Sequence, residues 1–296
     1  MGFRNPPVPW AELERRLSNG RSPGAPTWNA GGDSPAWSRK RQPYEPVVER
    51  RAGTVSYAEL HCHSNFSVLD GASHPEELAE EAARLGLEAL ALTDHDGFYG
   101  VVRFAEAARA VGVPTVFGAE LTLTTAGPQN GVPDPDGHHL VVLADGPQGY
   151  ADLARALSRG QMAGEKGAPR FTLSGLVAES SGHWWALTGC RKGAVPAALV
   201  EHGPSAARRE LTRLVEVFGR DRVAVELWDH GEPLDSARND ALAELAMHAG
   251  VACIATANAH EHVPARARLR SALAAVRARR SLDELDPWLP ASTTPG

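Results

Sequence analysis

Short apolar segments alternate with amphipathic segments along most of the chain, and this alternation constrains the fold more than any other feature. The segments with strand character number about seven, at residues 55–61, 88–94, 114–123, 139–144, 184–188, 222–228 and 251–256. Most are separated by segments with the 3.6-residue period of a helix. The sequence therefore predicts an α/β fold with a largely parallel sheet covered by helices, either a barrel or a doubly wound sheet.

The clearest helix lies in the segment SHPEELAEEAARLG, residues 73–86. Ser73 and Glu76 have the spacing of a capping box, Pro75 falls in the first turn, and Gly86 follows the last turn. These signals predict a helix that begins at Ser73 and ends at Gly86.

Composition and charge exclude several classes of protein. The 296 residues include 43% hydrophobic and 22% charged residues, which is ordinary for a globular protein, and a net charge of −6 is unlike a protein coated for nucleic acid. Three cysteines without C-x-x-C spacing do not indicate a disulfide scaffold or a zinc ribbon. No apolar run is long enough to span a membrane or to act as a signal peptide, so we expect a cytoplasmic protein without membrane contact.

The two ends of the chain differ from its middle. Residues 1–53 are expected to form a mostly irregular leader with one short helix at residues 10–17, and residues 54–265 form the predicted folded domain. Residues 266–296 begin as a basic helix with six arginines and continue as a tail. Such a charge run is usually a solvated face. The alternative is a docking segment for an acidic partner or for the rest of a longer protein.

Residues with metal-ligating side chains recur where the predicted strands end. His61 and His63 lie two apart, so a strand would point both side chains to the same side. The other strand-end candidates are Asp70, His95, Glu120, Cys190, Asn258 and His260. Because the carboxyl ends of parallel strands lie at one edge of a sheet, where α/β folds build active sites, we expect these side chains to converge.

His139 differs from the other candidates because it begins its strand. Residues 124–138 are interrupted too often by Gly and Pro to form a crossover helix, so a hairpin is the simpler prediction. If residues 139–144 then run antiparallel to the preceding strand, His139 lies at the same edge as the other candidates.

The candidate ligands indicate transition metals. Imidazoles with carboxylates and one thiol suit Zn²⁺, Mn²⁺ or Fe²⁺ rather than Ca²⁺ or Mg²⁺. They exceed what one tetrahedral zinc uses, so we expect two or three ions that share carboxylates and act in phosphoryl hydrolysis. Structural or surface roles are expected for the remaining histidines and cysteines, namely His138, His183, His202, His230, His248, His262, Cys62 and Cys253.

Six segments resemble, in order, the motifs of the PHP domain, the polymerase and histidinol phosphatase superfamily. They are ELHCHSNFSVLDGAS, ALTDHDGFYGVVRF, FGAEL, HLVVLADGPQGYADL, LTGCRKG and ATANAH. The version here is most similar to the N-terminal domain of bacterial C-family polymerases, the DNA polymerase III α subunits. The segments PVPWAELERRL and ALAAVRARRSLDELDPWLP resemble the error-prone branch of that family.

The resemblance implies a distorted seven-stranded, TIM-like (β/α) barrel with up to three metal ions at one end. Carried over residue by residue, the ligands are His61, His63, Asp70, His95, Glu120, His139, Cys190, Asn258 and His260. Asn258 departs from the family pattern, which has an aspartate there. A neutral amide bridges ions poorly, so one ion is expected to bind weakly or to be absent.

Three functions follow from the resemblance. The first is a metal-dependent phosphoesterase, such as a 3′–5′ exonuclease, within an error-prone polymerase of DNA replication, repair and translesion synthesis. The second is a metal-stabilised module that supports the polymerase without turnover, which Asn258 favours. The third is a free-standing phosphatase of the histidinol phosphatase kind, which the leader and the arginine-rich end disfavour. The resemblance also implies DNA and replication or repair proteins as partners, a monomeric fragment, and polymerase catalytic residues outside this chain.

Overall fold

The computed structural model describes residues 44–53, 55–123, 131–132 and 135–285. The helix predicted at residues 10–17, most of the leader and the end of the tail lie outside the described residues. The elements below belong to one compact unit that begins at Pro46.

Strands and helices alternate as the sequence predicts. The strands are β1 (Ala58–Glu59), β2 (Ala89–Leu92), β3 (Thr115–Leu123), β4 (His138–Ala144), β5 (Trp184–Leu187), β6 (Val223–Leu227) and β7 (Ala252–Ala255). The α-helices are α1 (Pro75–Leu85), α2 (Val101–Val111), α3 (Gly146–Ala163), α4 (Leu173–Glu179), α5 (Ala194–His202), α6 (Pro204–Phe218), α7 (Asp235–Ala249), α8 (Ala267–Ala278) and α9 (Leu282–Leu285). None of these described helices is long and apolar enough to cross a membrane.

The seven strands form one sheet in which each strand pairs with the next along the chain. Pairing is parallel except on the two sides of β4, which runs antiparallel to β3 and β5. The segments after β1 and β7 also meet, because His63 N donates to Ala259 O at 2.8 Å and Ala259 N donates to His61 O at 3.0 Å. Sequential strand order with its two ends joined makes a barrel-like sheet, whereas a doubly wound sheet reverses its order at a switch point.

The antiparallel return into β4 is confirmed. β4 pairs with β3 in a register that sets His139 opposite Thr122 and Val141 opposite Glu120. His139, the second residue of β4, therefore lies at the sheet edge where the parallel strands end, close to Glu120.

Helix α1 begins one residue later than the capping signals predict. His74 is its N-cap, and the Glu77 carboxylate accepts a hydrogen bond from His74 N at 2.8 Å. Ser73 Oγ lies instead 2.7 Å from a histidine nitrogen, and Glu76 pairs with Arg103 of α2 at 2.7 Å. Either Glu76 or Glu77 could complete a capping box. Glu76 forms the ion pair between α1 and α2, and Glu77 forms the capping box. Gly86 ends the helix as predicted, with a left-handed φ of 72°.

The main hydrophobic core lies between the sheet and its helices. It includes Trp184 of β5, Leu153 of α3, Leu211 of α6 and Leu242 of α7, all buried. A smaller apolar cluster formed by Ala91, Val141, Leu143, Leu187 and Ala224 comes from neighbouring strands. Successive residues of β4 belong alternately to the two clusters, as expected for a strand that is covered on both faces. The core thus fixes the strands whose ends carry the candidate ligands.

The interpretation of the basic segment as a solvated face is wrong for three of its arginines. Arg266 pairs with Glu77, Arg270 lies near Glu261, and Arg277 pairs with Asp70, at N–O distances of 2.5, 3.2 and 2.8 Å. The other arginines of this segment, Arg268, Arg279 and Arg280, are exposed as expected. Helix α8 is therefore docked on the same unit that carries the candidate ligands.

Candidate metal centre

Glu120 of β3 lies at the centre of four imidazoles that come from different parts of the fold. Its Oε1 atom lies 3.3 Å from His61 Nε2 and 3.0 Å from His139 Nδ1. Its Oε2 atom lies 3.4 Å from His63 Nε2 and 3.3 Å from His95 Nδ1. The side chain is 1% exposed. Both oxygens of this buried carboxylate are therefore shared among imidazoles, as in a carboxylate that bridges ions.

Asp70 forms a second carboxylate group beside the first. Its Oδ2 atom lies 3.0 Å from His260 Nε2 and 3.3 Å from His95 Nε2. His95 thus contacts Glu120 with one ring nitrogen and Asp70 with the other. The two carboxylate groups form one continuous cluster, which we call the strand-end cluster.

Cys190 joins the strand-end cluster from the loop after β5. Its Sγ atom lies 3.7 Å from both Glu120 Oε1 and His139 Nδ1. Burial raises the pKa of this thiol, and the Glu120 carboxylate raises it further. A bound cation would be needed to favour the thiolate that coordinates metals.

Asn258 lies two residues before His260 and has a left-handed φ of 46°, which asparagine adopts more readily than most residues. Its backbone carbonyl accepts a hydrogen bond from His260 Nδ1 at 2.8 Å. Its side-chain Oδ1 atom is buried and has no hydrogen-bond partner among the described residues. A buried oxygen without a partner is unusual and is available to a cation.

The side chains present fit divalent metal ions. Asp70 Oδ2, like Asn258 Oδ1, has no partner in hydrogen-bond geometry, although two imidazole nitrogens lie within 3.3 Å of it. Nitrogen and oxygen atoms that converge on one point are the arrangement expected around an ion. Within the described residues, ligand atoms meet within 4.8 Å of one another in the groups His61–His63–Glu120, His63–Asp70–His95 and His95–Glu120–His139.

Glu226 of β6 is a supporting residue that the sequence analysis missed. The fully buried carboxylate lies 2.6 Å from His61 Nδ1 and accepts a hydrogen bond from Thr256 Oγ1 at 2.5 Å. A carboxylate on Nδ1 fixes the imidazole tautomer and leaves Nε2 free for an ion. The available signal was a single glutamate in the otherwise apolar strand segment RVAVELW.

Electrostatics keep the two cluster carboxyls ionised. Burial alone would raise their pKa values, but the neighbouring histidines outweigh it and hold the pKa of Glu120 and Asp70 well below the usual range. Burial lowers the pKa of His95, yet Glu120 and Asp70 raise that pKa to about 9. Burial and the adjacent His260 and His95 hold the pKa of His63 well below its usual value. An ion that binds here must therefore displace protons from part of the cluster.

The residues expected to be structural lie outside the ligand groups of the described chain. His230 Nε2 and His248 Nδ1 face backbone carbonyls at 2.8 Å, and His262 Nδ1 lies 2.7 Å from Ser73 Oγ. Cys62 is buried and Cys253 is exposed.

Comparison with known proteins identifies the family of this chain. The family described as PHP domain matches residues 59–230. The error-prone DNA polymerase of Mycobacterium bovis is 56% identical over 293 residues, which are 98% of this chain and 27% of that protein. The error-prone DNA polymerase of Nocardia farcinica is 49% identical over 336 residues, covering 98% of this chain and 29% of that protein. The chain thus spans less than a third of the length of these relatives.

Two solved structures also match parts of this chain, at lower sequence identity. A candidate metal-dependent phosphoesterase from Bifidobacterium adolescentis matches with a TM-score of 0.49 and 16% identity, over 70% of this chain and 89% of that one. An amidohydrolase from Chromobacterium violaceum matches with a TM-score of 0.48 and 20% identity, over 70% and 88% of the two chains. On the family match and its extent, the chain belongs to the PHP domain family.

Proposed function

We propose that this chain is the metal-binding PHP domain of an error-prone DNA polymerase and that it hydrolyses phosphoester bonds, with the 3′ end of DNA as substrate. The observation that carries the proposal is the strand-end cluster, in which Glu120 and Asp70 are shared among five imidazoles. The names of the relatives support the polymerase context. DNA, replication and repair proteins as partners, and the cytoplasm as location, belong to the same proposal.

The donor set defines what the site could hold and do. Zn²⁺, Mn²⁺ or Fe²⁺ bound here would supply a Lewis acid for a phosphoryl oxygen and a hydroxide near neutral pH. His61, His63, His95, His139 and Cys190 would hold such ions around the shared carboxylate of Glu120. Hydrogen bonding by Glu226 orients His61, which limits the reorganisation needed when an ion binds.

Access to the cluster is one-sided. His61, His63 and Glu120 are almost fully buried, whereas the His95 side chain is 25% exposed and Asp70 is also partly exposed. A phosphate ester would therefore approach from the His95–Asp70 side, with the buried ligands behind it. The buried ligands would then lie away from solvent, and the more exposed ones would face the ester and the attacking water.

A second candidate function is a metal-stabilised module that supports the polymerase without turnover. Two observations on the Asp70 side favour it. Asn258 offers a neutral amide where the family pattern has a carboxylate, and the Arg277 guanidinium pairs with Asp70. Both reduce the negative charge available to an ion at that side.

A phosphoester assay separates the two functions. We expect the chain loaded with Mn²⁺ or Zn²⁺ to cleave bis(p-nitrophenyl) phosphate and to shorten a 5′-labelled oligonucleotide from its 3′ end. His63→Ala should reduce both activities to background, because His63 lies in two of the ligand groups. His248→Ala, on the exposed surface of α7, is the matched control and should retain the parent rates. A metal-loaded parent without turnover would favour the supporting module, and equal rates for His63→Ala and the parent would contradict the assignment of the site.

A further inference from the structure

Helix α8 carries an arginine into the strand-end cluster. Arg277 Nη1 donates a hydrogen bond to Asp70 Oδ1 at 2.8 Å, across 207 residues of sequence. Asp70 Oδ2 faces His95 and His260 at the same time. The guanidinium is therefore bound to the same carboxylate that the candidate ligands share. Arg277 also lies outside residues 59–230, the span that matches the family.

The position of Arg277 is fixed by the helix as a whole. Near the start of α8, the Arg266 side chain pairs with Glu77 of α1 at 2.5 Å. Near its end, Ala275 and Ala278 are buried against Leu285 of α9. Anchors near both ends hold the intervening backbone, so the guanidinium reaches Asp70 from a fixed base, not from a freely moving surface side chain.

The charges around Glu120 differ from the charges around Asp70. The ion pairs that the described residues make with Glu120 are all with histidines, whose imidazole nitrogens are themselves candidate metal ligands. On the other side, Asp70 is paired with an arginine, which keeps its charge at any accessible pH. Asn258 adds no negative charge there. The Asp70 side therefore has one carboxylate already balanced by one permanent cation.

We propose that Arg277 takes the place of one metal ion at the edge formed by Asp70, Asn258 and His260, which leaves an exchangeable two-ion centre around Glu120. This inference rests on the proposed function, because it presumes that the Glu120 side binds ions. Asn258 and Arg277 form a matched pair: the amide removes a negative charge, and the guanidinium supplies the positive charge that an ion would have brought. Restoring the ion then requires both residues to change.

Metal binding by four variants tests the inference. The variants are Arg277→Gln, Asn258→Asp, the double variant of both, and Arg277→Lys, which retains the charge. Arg268→Gln is the matched control, because Arg268 is an exposed arginine of the same helix. Ion content is measured by elemental analysis after Mn²⁺ loading and desalting, affinity by calorimetric titration with Mn²⁺, and folding by circular dichroism.

We expect the double variant to bind one Mn²⁺ more than the parent. Arg277→Gln alone should tighten the weakest site by about 10–100-fold, because it removes a positive charge beside Asp70. Arg277→Lys and Arg268→Gln should match the parent. The inference is overturned if the double variant folds but binds no more ions than the parent and binds them no more tightly. A loss of ions in Arg277→Gln overturns it as well, because Arg277 would then only position Asp70. If the double variant does not fold, the comparison of Arg277→Gln with Arg277→Lys decides. A parent chain that binds no ion contradicts the proposed function itself.

Discussion

Glu120→Gln is expected to remove most of the thermal stabilisation that metal ions give to this chain. Both oxygens of Glu120 are shared among imidazoles, and an amide has only one oxygen and no charge. An ion present at about 1,000 times its dissociation constant stabilises the folded state by about 4 kcal/mol. For a domain of this size that corresponds to roughly 8–16 °C in melting temperature. Melting curves with EDTA and with Mn²⁺ measure this difference directly.

The control for this experiment is Glu244→Gln, because Glu244 is exposed on α7. It should retain the metal-dependent shift of the parent. Comparing each variant with itself, with and without Mn²⁺, removes any effect of the substitution on the ion-free fold. If Glu120→Gln shifts with Mn²⁺ as much as the parent does, Glu120 is not a ligand of the stabilising ions.

Trp184→Ala is expected to destabilise the fold by about 3–5 kcal/mol, the usual cost of removing a buried tryptophan. Trp184 of β5 is 1% exposed, and its indole Nε1–H donates to Gly149 O at 2.9 Å. The substitution leaves a cavity between the sheet and α3 and removes the donor for a carbonyl. Urea denaturation in EDTA measures this loss without a contribution from bound ions.

Trp185→Ala is the matched control because the next residue of the same strand faces the other way. Its side chain is 37% exposed, and the Arg222 guanidinium lies 5.4 Å from its ring centroid. Losing such an exposed cation–π contact costs about 1 kcal/mol or less. Equal losses of stability for the two variants would contradict the direction in which β5 presents its side chains.

Much of the fold could be predicted from the sequence because its signals are local. The alternation of apolar and amphipathic segments located all seven strands, and the Gly- and Pro-rich break before His139 indicated the antiparallel pair. The periodicity of the segments left barrel and doubly wound sheet open, because strand order depends on contacts between distant segments, and the resemblance to the PHP domain favoured the barrel. The predicted start of α1 was one residue too early. Glu76 and Glu77 both had the spacing for a capping box, and Arg103 binds Glu76, the first of them.

The site residues at strand ends could be predicted from the sequence. Those that act through contacts with residues far away in the sequence could not. The rule that parallel strands end at one edge brought His61, His95 and Glu120 together correctly. It gave no role to Glu226, which lies inside a strand, because its contact with His61 spans 165 residues. It also gave no role to Arg277, because nothing in a run of arginines indicates which one reaches a buried carboxylate.

Metal content is the most direct test of the strand-end cluster. The purified chain, loaded with Mn²⁺ or Zn²⁺ at neutral pH and then desalted, is analysed for bound metal by elemental analysis. The convergence of His61, His63, His95, His139 and Cys190 on Glu120 predicts about two ions per chain, more than one tetrahedral ion can account for. A chain that holds no metal after loading would contradict the assignment of this cluster as a metal centre.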